Sequence, residues 1–243
     1  VGTGPFVLAQ HGDERVVLER NTSWWRGTPP RLDALEFRCG LSPAAIAAGF
    51  RAGELDMARD LLPQDLEDLL RAQRPHATLL EAPQKFTYFA LFNTASGALA
   101  GGAAARQALA GVVRARELVW RTAGRFAAPA VGLIPPGILG HDPGVRPRAV
   151  SPAEARAALA AAGAEGSRLR VCVHPLIRER YGALLDAMFA AWAEIGVGVE
   201  IVPAAMEEFL AAWRENANVD VLIARWKPDI DDPDGCTHTL FHS

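Results

Sequence analysis

The chain has 243 residues, half of them apolar and 22% charged, with a formal net charge of −3. That is enough for one large domain or two smaller ones with cores of their own, and too apolar for long disorder. Acidic and basic residues are interspersed, which excludes the basic stripe of a nucleic-acid binder, and no apolar run is long enough to span a bilayer.

Residues 6 to 20 read as a hairpin, with β-type runs Phe6-Val7-Leu8 and Arg15-Val16-Val17-Leu18 around a polar turn at His11-Gly12-Asp13. Asn21 to Pro30 is a loop carrying Trp24 and Trp25, and Leu35 to Arg38 alternates as another strand. Ser42-Pro43 starts a helix, with Ser as N-cap and Pro at the first position, that stops near Gly53. Leu55-Asp56-Met57-Ala58 reads as a short strand, and Pro63 begins a helix with Leu66, Leu69 and Leu70 on one face. Phe86 to Phe92 is β-type and ends at Asn93-Thr94, a pair suited to a turn. Ser96 to Ala105 reads as a loose Gly/Ala loop, Arg106 to Trp120 as one helix, and Ala127 to Pro147 as an extended surface segment.

The last section has the clearest signals. Ser151-Pro152-Ala153-Glu154 is a capping box opening a helix that ends at Gly163. Leu169 to Val173 is a strand, Tyr181 to Ile195 a helix closed by Gly196, and Val197 to Val202 a strand. Glu207 to Trp213 is helical and Val219 to Ala224 is a buried strand. This alternation predicts an α/β protein with parallel pairing and right-handed crossovers. Pro83 to Lys85 marks a crossing between two lobes, residues 1–84 and 85–243. Cys39, Cys172 and Cys236 lack zinc or thioredoxin spacing, and their odd number leaves a free thiol. The opening Val1-Gly2-Thr3-Gly4-Pro5-Phe6 has no initiator Met and no signal-peptide n-region, as in a processed or excised piece.

Several blocks resemble the family-5 extracellular solute-binding proteins of ABC importers, the dipeptide, oligopeptide and nickel binders. They are Gly2-Thr3-Gly4-Pro5-Phe6; Leu18-Glu19-Arg20-Asn21 with Trp24-Trp25 and Gly27; Phe50-Arg51-Ala52-Gly53-Glu54-Leu55-Asp56; Phe92-Asn93-Thr94; Arg106-Gln107-Ala108-Leu109; Ile134-Pro135-Pro136-Gly137; and Trp192 to Val197. The last runs from Trp226 through Asp229 and Asp232-Pro233-Asp234 to Leu240-Phe241-His242-Ser243. Each block is weak alone; their order and spacing are specific. The resemblance implies part of a type II periplasmic-binding-protein-like fold, two lobes with mixed sheets, lacking portions before and after these blocks. It implies a non-enzymatic monomer without a cofactor. That protein would capture peptides or similar small solutes in the periplasm, or lipid-anchored outside the cell, for ABC permease membrane subunits.

The resemblance also points to site residues. Asp229 falls where the family places an acid facing the ligand's ammonium group, whose hydrogen bonds a fixed carboxylate restores. From sequence pattern alone it reads as an exposed loop acid beside Asp231, Asp232 and Asp234, and the resemblance turns that reading toward the ligand. Trp226 is a candidate apolar wall over the ligand or plain core packing. Arg178 and Arg180 are candidates for the ligand's carboxylate, or a solvated helix start. Gly2, Thr3 and Gly4 would let backbone approach the ligand, or simply turn into a strand.

Two rival readings stand. A metal-assisted hydrolase would use Asp231, Asp232, His238 and His242, the two histidines sharing a face if helical, but without a metalloprotease glutamate. The other is a solute-sensing domain of a regulator.

Overall fold

The computed structural model describes residues 2–59, 61–71, 77–82, 84–202, 205–215 and 218–241. The chain divides into two compact units, Val1–Leu66 and Glu67–Ser243.

The first unit holds an antiparallel sheet of β1 (Phe6–His11), β2 (Arg15–Arg20) and β3 (Ala34–Arg38). The expected hairpin is present, and Gly12 N donates to Arg15 O across its turn at 2.9 Å. A bulge between Leu8 and Gln10 shifts the register by one residue, so that Leu8 pairs with Leu18 and Gln10 with Val17. Register places Leu8, Leu18 and Leu35 in one cross-strand row and Val16 beside Phe37, giving one face an apolar row. Arg15, Glu19, Glu36 and Arg38 take the opposite face, where Arg15 pairs with Glu36 at 2.6 Å and holds its carboxyl below the usual range. The apolar face is open, with Leu8 60% and Phe37 51% exposed.

Helix α1 (Pro43–Ala52) starts as expected, with the Ser42 hydroxyl accepting from Ala45 N at 3.2 Å. Gly53 ends it at φ +78°, a left-handed turn that favours glycine. The strand expected at Leu55–Ala58 is absent: those residues form irregular backbone, and Met57 is 75% exposed. Among the described residues they pair with no strand, and Asp56 and Ala58 are residue types depleted in strands. Helix α2 (Pro63–Arg71) follows, with Asp65 paired to Arg51 at 2.8 Å.

The second unit is built on β4 (Thr87–Phe92), β5 (Arg168–Val173), β6 (Gly198–Val202) and β7 (Val221–Trp226), in the order β4-β7-β5-β6. β5 runs parallel to β6 and β7, as the alternation predicts, and β4 runs antiparallel to β7. Helices α3 (Ala103–Val112), α5 (Pro152–Ala161) and α7 (Gly182–Glu194) contribute to the larger core, with Leu109, Leu159, Leu185 and Trp192 against Val171, Val173, Val221 and Ile223. On the other face, Phe209 of α8 (Met206–Glu215) joins Cys172, Leu222 and Ala224. α5 carries the complete capping box: Ser151 Oγ accepts from Glu154 N, and Glu154 accepts from Ser151 N. The donation from Ser151 N foremost, and a second from Ser151 Oγ, hold the Glu154 carboxyl below its usual range.

Three other expectations are corrected. The single helix Arg106–Trp120 is two, α3 and α4 (Ala115–Ala123), separated at the extended residue Val113. Near the end of α3, Gly111 O accepts from Val150 N at 3.0 Å, and a Cβ on Gly111 would stand 2.4 Å from Val150 Cγ2. The returning chain thus seats against the last turn. The loop Ser96–Ala105 is not loose, because Leu99 is buried and Arg106 donates to Leu99 O at 2.6 Å. The segment Ala127–Pro147 is turned rather than extended around Ile138, which is buried. All three cysteines are free thiols. Among the described residues no helix is long and apolar enough to cross a membrane.

Candidate functional site

Strands β5, β6 and β7 end along one edge of the second sheet, and β4 begins there. In open α/β sheets the carboxyl ends of the strands are where ligands bind. Here the edge gathers Lys85, Phe86, His174, Arg225, Trp226 and the bend after β7.

His174 follows β5 and opens the short helix α6 (Pro175–Arg180). Its backbone N–H donates to Ile223 O at 2.9 Å, and its Nδ1 accepts from Leu176 N at 3.2 Å. Only an unprotonated Nδ1 can act as this cap. The ring meets Phe209 edge-on at 5.1 Å. Burial first, and the Arg225 charge second, press its pKa below the ordinary value. Arg178 is exposed on α6 and Arg180 is half-buried at its end, so both stand on a helix of their own rather than in a lead-in to α7.

Trp226 ends β7 opposite Thr87, and its indole N–H donates to Gly235 O at 2.7 Å. Gly235 lies in helix α9 (Asp234–Phe241), so the tryptophan pins both ends of the intervening loop. Pro228 is buried there, and a Cβ on Gly235 would stand 2.9 Å from its Cβ. Asp232 Oδ1 accepts from Asp234 N at 2.8 Å, and Asp231 pairs with Lys85. From this tied loop Asp229 projects as an exposed carboxylate on the bend. The Pro-rich block comes to the same place: Gly137 lies beside Lys85, and Gly140 beside Pro233.

Gly2, Thr3 and Gly4 lie in the first unit, leading into β1. Thr3 O accepts from Trp25 Nε1 at 3.1 Å, and Gly4 O from Asn21 Nδ2 at 3.0 Å. A Cβ on Gly2 would meet nothing within 4 Å among the described residues. Asn93 acts as turn chemistry, its Oδ1 accepting from Ala95 N at 2.9 Å.

The hydrolase constellation does not assemble in what is described. Asp231 and Asp232 are taken up by Lys85 and the Asp234 backbone, and His242 lies outside the described residues. Among the described residues no group of three or more His, Cys, Asp or Glu is placed to hold a metal ion. The sequence reading passed over Phe86, Arg225 and Lys227. The available signal was a charge, Arg225, closing the otherwise apolar run Val221–Ala224.

The profile of bacterial extracellular solute-binding proteins, family 5 (middle region), matches residues 1–243. The chain belongs to this family. Among family-5 relatives, Di/tripeptide-binding protein 4 of Pseudomonas aeruginosa (strain UCBPP-PA14) is 30% identical over 240 residues, covering 96% of this chain and 44% of its own length. The dipeptide-binding protein of Escherichia coli (strain K12) is 27% identical over 246 residues, covering 99% of this chain and 45% of its own. The chain therefore spans about half the length of the curated family-5 relatives it matches. The family fold, a partial type II binding-protein fold of mixed α/β sheets, is shared with the periplasmic binding protein DppA from Helicobacter pylori, solved with the peptide STSA. That structure has a TM-score of 0.83 at 22% identity, over 98% of this chain and 45% of that one.

Proposed function

We propose that the protein to which this chain belongs is the solute-binding component of an ABC importer. It captures a short peptide or similar small solute between two lobes and delivers it to membrane permease subunits. It acts as a monomer in the periplasm or lipid-anchored outside the cell, and it is not an enzyme. The family match over all of residues 1–243 carries this reading. The chain's relatives include di/tripeptide- and dipeptide-binding proteins, which favours peptides as the solute class.

The first lobe's share of this chain runs through residue 84, just before β4 enters the four-stranded sheet. Asp229 receives the solute's ammonium group. A carboxylate on a loop tied at Trp226, Pro228, Asp231 and Asp232 loses little freedom on binding, which favours that role. Trp226 supplies an apolar wall, and Arg178 and Arg180 are the candidates for a solute carboxylate. The Gly2-Thr3-Gly4 backbone approaches the solute; among the described residues Gly2 has no packing neighbour that calls for glycine. The open apolar face of the first sheet fits a chain that finds further packing in the longer protein.

Calorimetry on the full-length protein and its Asp229→Asn variant tests this. The variant should lose at least about ten-fold in affinity for trialanine and far less for acetyl-trialanine. Equal losses for both peptides remove the role of Asp229, and failure of any peptide to bind the unsubstituted protein removes the peptide reading.

A further inference from the structure

Lys85 reaches the bend after β7 from the segment that leads into β4. Its stem lies against the Pro-rich turn, where a Cβ on Gly137 would stand 3.4 Å from Lys85 Cε. Its ammonium group pairs with Asp231, 146 positions later in the chain. The lysine is the more buried partner, its side chain 28% exposed against 65% for Asp231. Packing therefore seats Lys85, and the carboxylate on the bend comes to it.

The bend carries four acids, Asp229, Asp231, Asp232 and Asp234. Asp231 is paired with Lys85, and Asp232 accepts from Asp234 N at 2.8 Å. Asp234 opens α9, whose N-terminus favours a negative charge. Among the described residues Asp229 alone of the four has no such partner. Two residues of chain span at most about 7 Å, so Asp229 and Asp231 stand within the screening length of about 8 Å at physiological salt. The charge left at Asp231 is thus felt wherever Asp229 acts. An exposed ion pair adds little to stability, so its main effect is on this field. With Lys85 present the pair is neutral and the bend offers one uncompensated carboxylate. Without it the bend would offer two.

We propose that Lys85 is a specificity-determining residue for solute capture. By neutralising Asp231 it limits the bend to one ammonium group, and so disfavours solutes with two positive charges at that end. This rests on the reading of Asp229 as the acceptor of the solute's ammonium group, and goes beyond it by naming what sets the charge of the solute accepted. Lys85 acts through Asp231 and needs no contact with the solute.

The test uses full-length protein freed of co-purifying solute by unfolding and refolding, titrated by calorimetry with trialanine, Lys-Ala-Ala and acetyl-trialanine. The readout is the affinity for Lys-Ala-Ala relative to trialanine. Lys85→Met leaves Asp231 charged and alone, and should raise this ratio about three-fold, the Coulomb effect of unit charges about 7 Å apart in water. Asp231→Asn leaves the lysine alone and should lower the ratio by a similar factor. Lys85→Met/Asp231→Asn should return it to the unsubstituted value, and Lys85→Arg should keep it there. The shifts should shrink in 1 M salt, where the screening length falls to about 3 Å. Arg225 and Lys227, at 5.0 and 5.8 Å from the centre of the Phe86 ring, are the same in every variant and cancel from the ratio. The single variants move the ratio in opposite directions, so either gives a reading should the other fail to fold. A pair with only a structural role would weaken both peptides alike. A ratio that stays fixed in the single variants, or a Lys85→Met shift that Asp231→Asn does not reverse, overturns the role of Lys85 while leaving Asp229 in place. If the unsubstituted protein binds trialanine no better than acetyl-trialanine, the reading of Asp229 falls and the role of Lys85 with it.

Discussion

A Cβ built on Gly97 would stand 2.2 Å from Asp220 Oδ1. Gly97 sits at φ +79°, and the carboxylate it makes room for joins β5 to the loop after β4. Asp220 Oδ2 accepts from Arg170 N at 2.8 Å and Oδ1 from Ala98 N at 3.3 Å, while Asp220 O accepts from Asn93 N at 2.8 Å. The residue thus clamps the approach to β7, the start of β5 and the turn after β4. Gly97→Ala should destabilise by about 2–4 kcal/mol, the left-handed backbone and the displaced carboxylate both contributing. Gly53→Ala, at a similar φ but with nothing within 4 Å, should cost only about 1–2 kcal/mol. Urea unfolding midpoints compare the two, and equal losses would deny the clamp its role.

Trp192 N–H donates to Leu109 O at 3.0 Å, joining α7 to α3 across the buried core. Trp192→Phe should cost about 1–3 kcal/mol, leaving a buried carbonyl unpaired. Trp192→Ala adds the cavity and should cost about 3–5 kcal/mol. If Phe is tolerated without loss, that hydrogen bond contributes nothing net.

His174 makes stability depend on pH. Its folded pKa is depressed, so between the folded value and 6.5 the unfolded chain binds the extra proton. Its stabilising contribution is fully present above pH 6.5 and is lost as pH falls through the folded value. Unfolding midpoints from pH 7.5 to 5 should decline, and His174→Gln should flatten the part of that decline nearest 6.5. An unchanged slope would mean other groups set it.

Residues 1–243 alone should bind trialanine weakly or not at all, whereas the full-length protein should bind it measurably. The chain spans 45% of the E. coli relative, so on the proposed reading its cleft is incomplete. Tight binding by the shorter chain, measured by calorimetry beside the longer one, would show that these residues contain the whole site.

Much of the fold was legible where chemistry is local. Ser42, the Ser151–Glu154 box and Gly53 mark helix ends through bonds made within four residues, and those ends appear where expected. The four strands of the second unit are readable as β-type runs. What failed depends on distant partners. Among the described residues Leu55–Ala58 has no ladder to join, and at the α3–α4 break Gly111 O is taken by Val150 N, far along the chain. Asp220 falls inside the run Val219–Ala224 that reads as a strand, yet β7 begins only at Val221 and the partners of Asp220 are Arg170, Asn93 and Ala98. At the site, Asp229 was named by resemblance alone. The ties that steady its loop, and the cations over Phe86, involve residues that only the folded sheet brings side by side.

The place of β4 in the second sheet has a consequence for biosynthesis. Among the described residues its only strand neighbour is β7, and the side-chain amide of Asn93, just past its end, donates to Val219 O, 126 positions later. At ribosomal speeds of about 5–20 residues per second, Phe89, Leu91 and Phe92 wait roughly 6–25 s before a mate emerges. During that interval the nascent polypeptide offers an unpaired apolar strand to whatever passes, and a holding chaperone or prompt secretion is what would keep it from clumping.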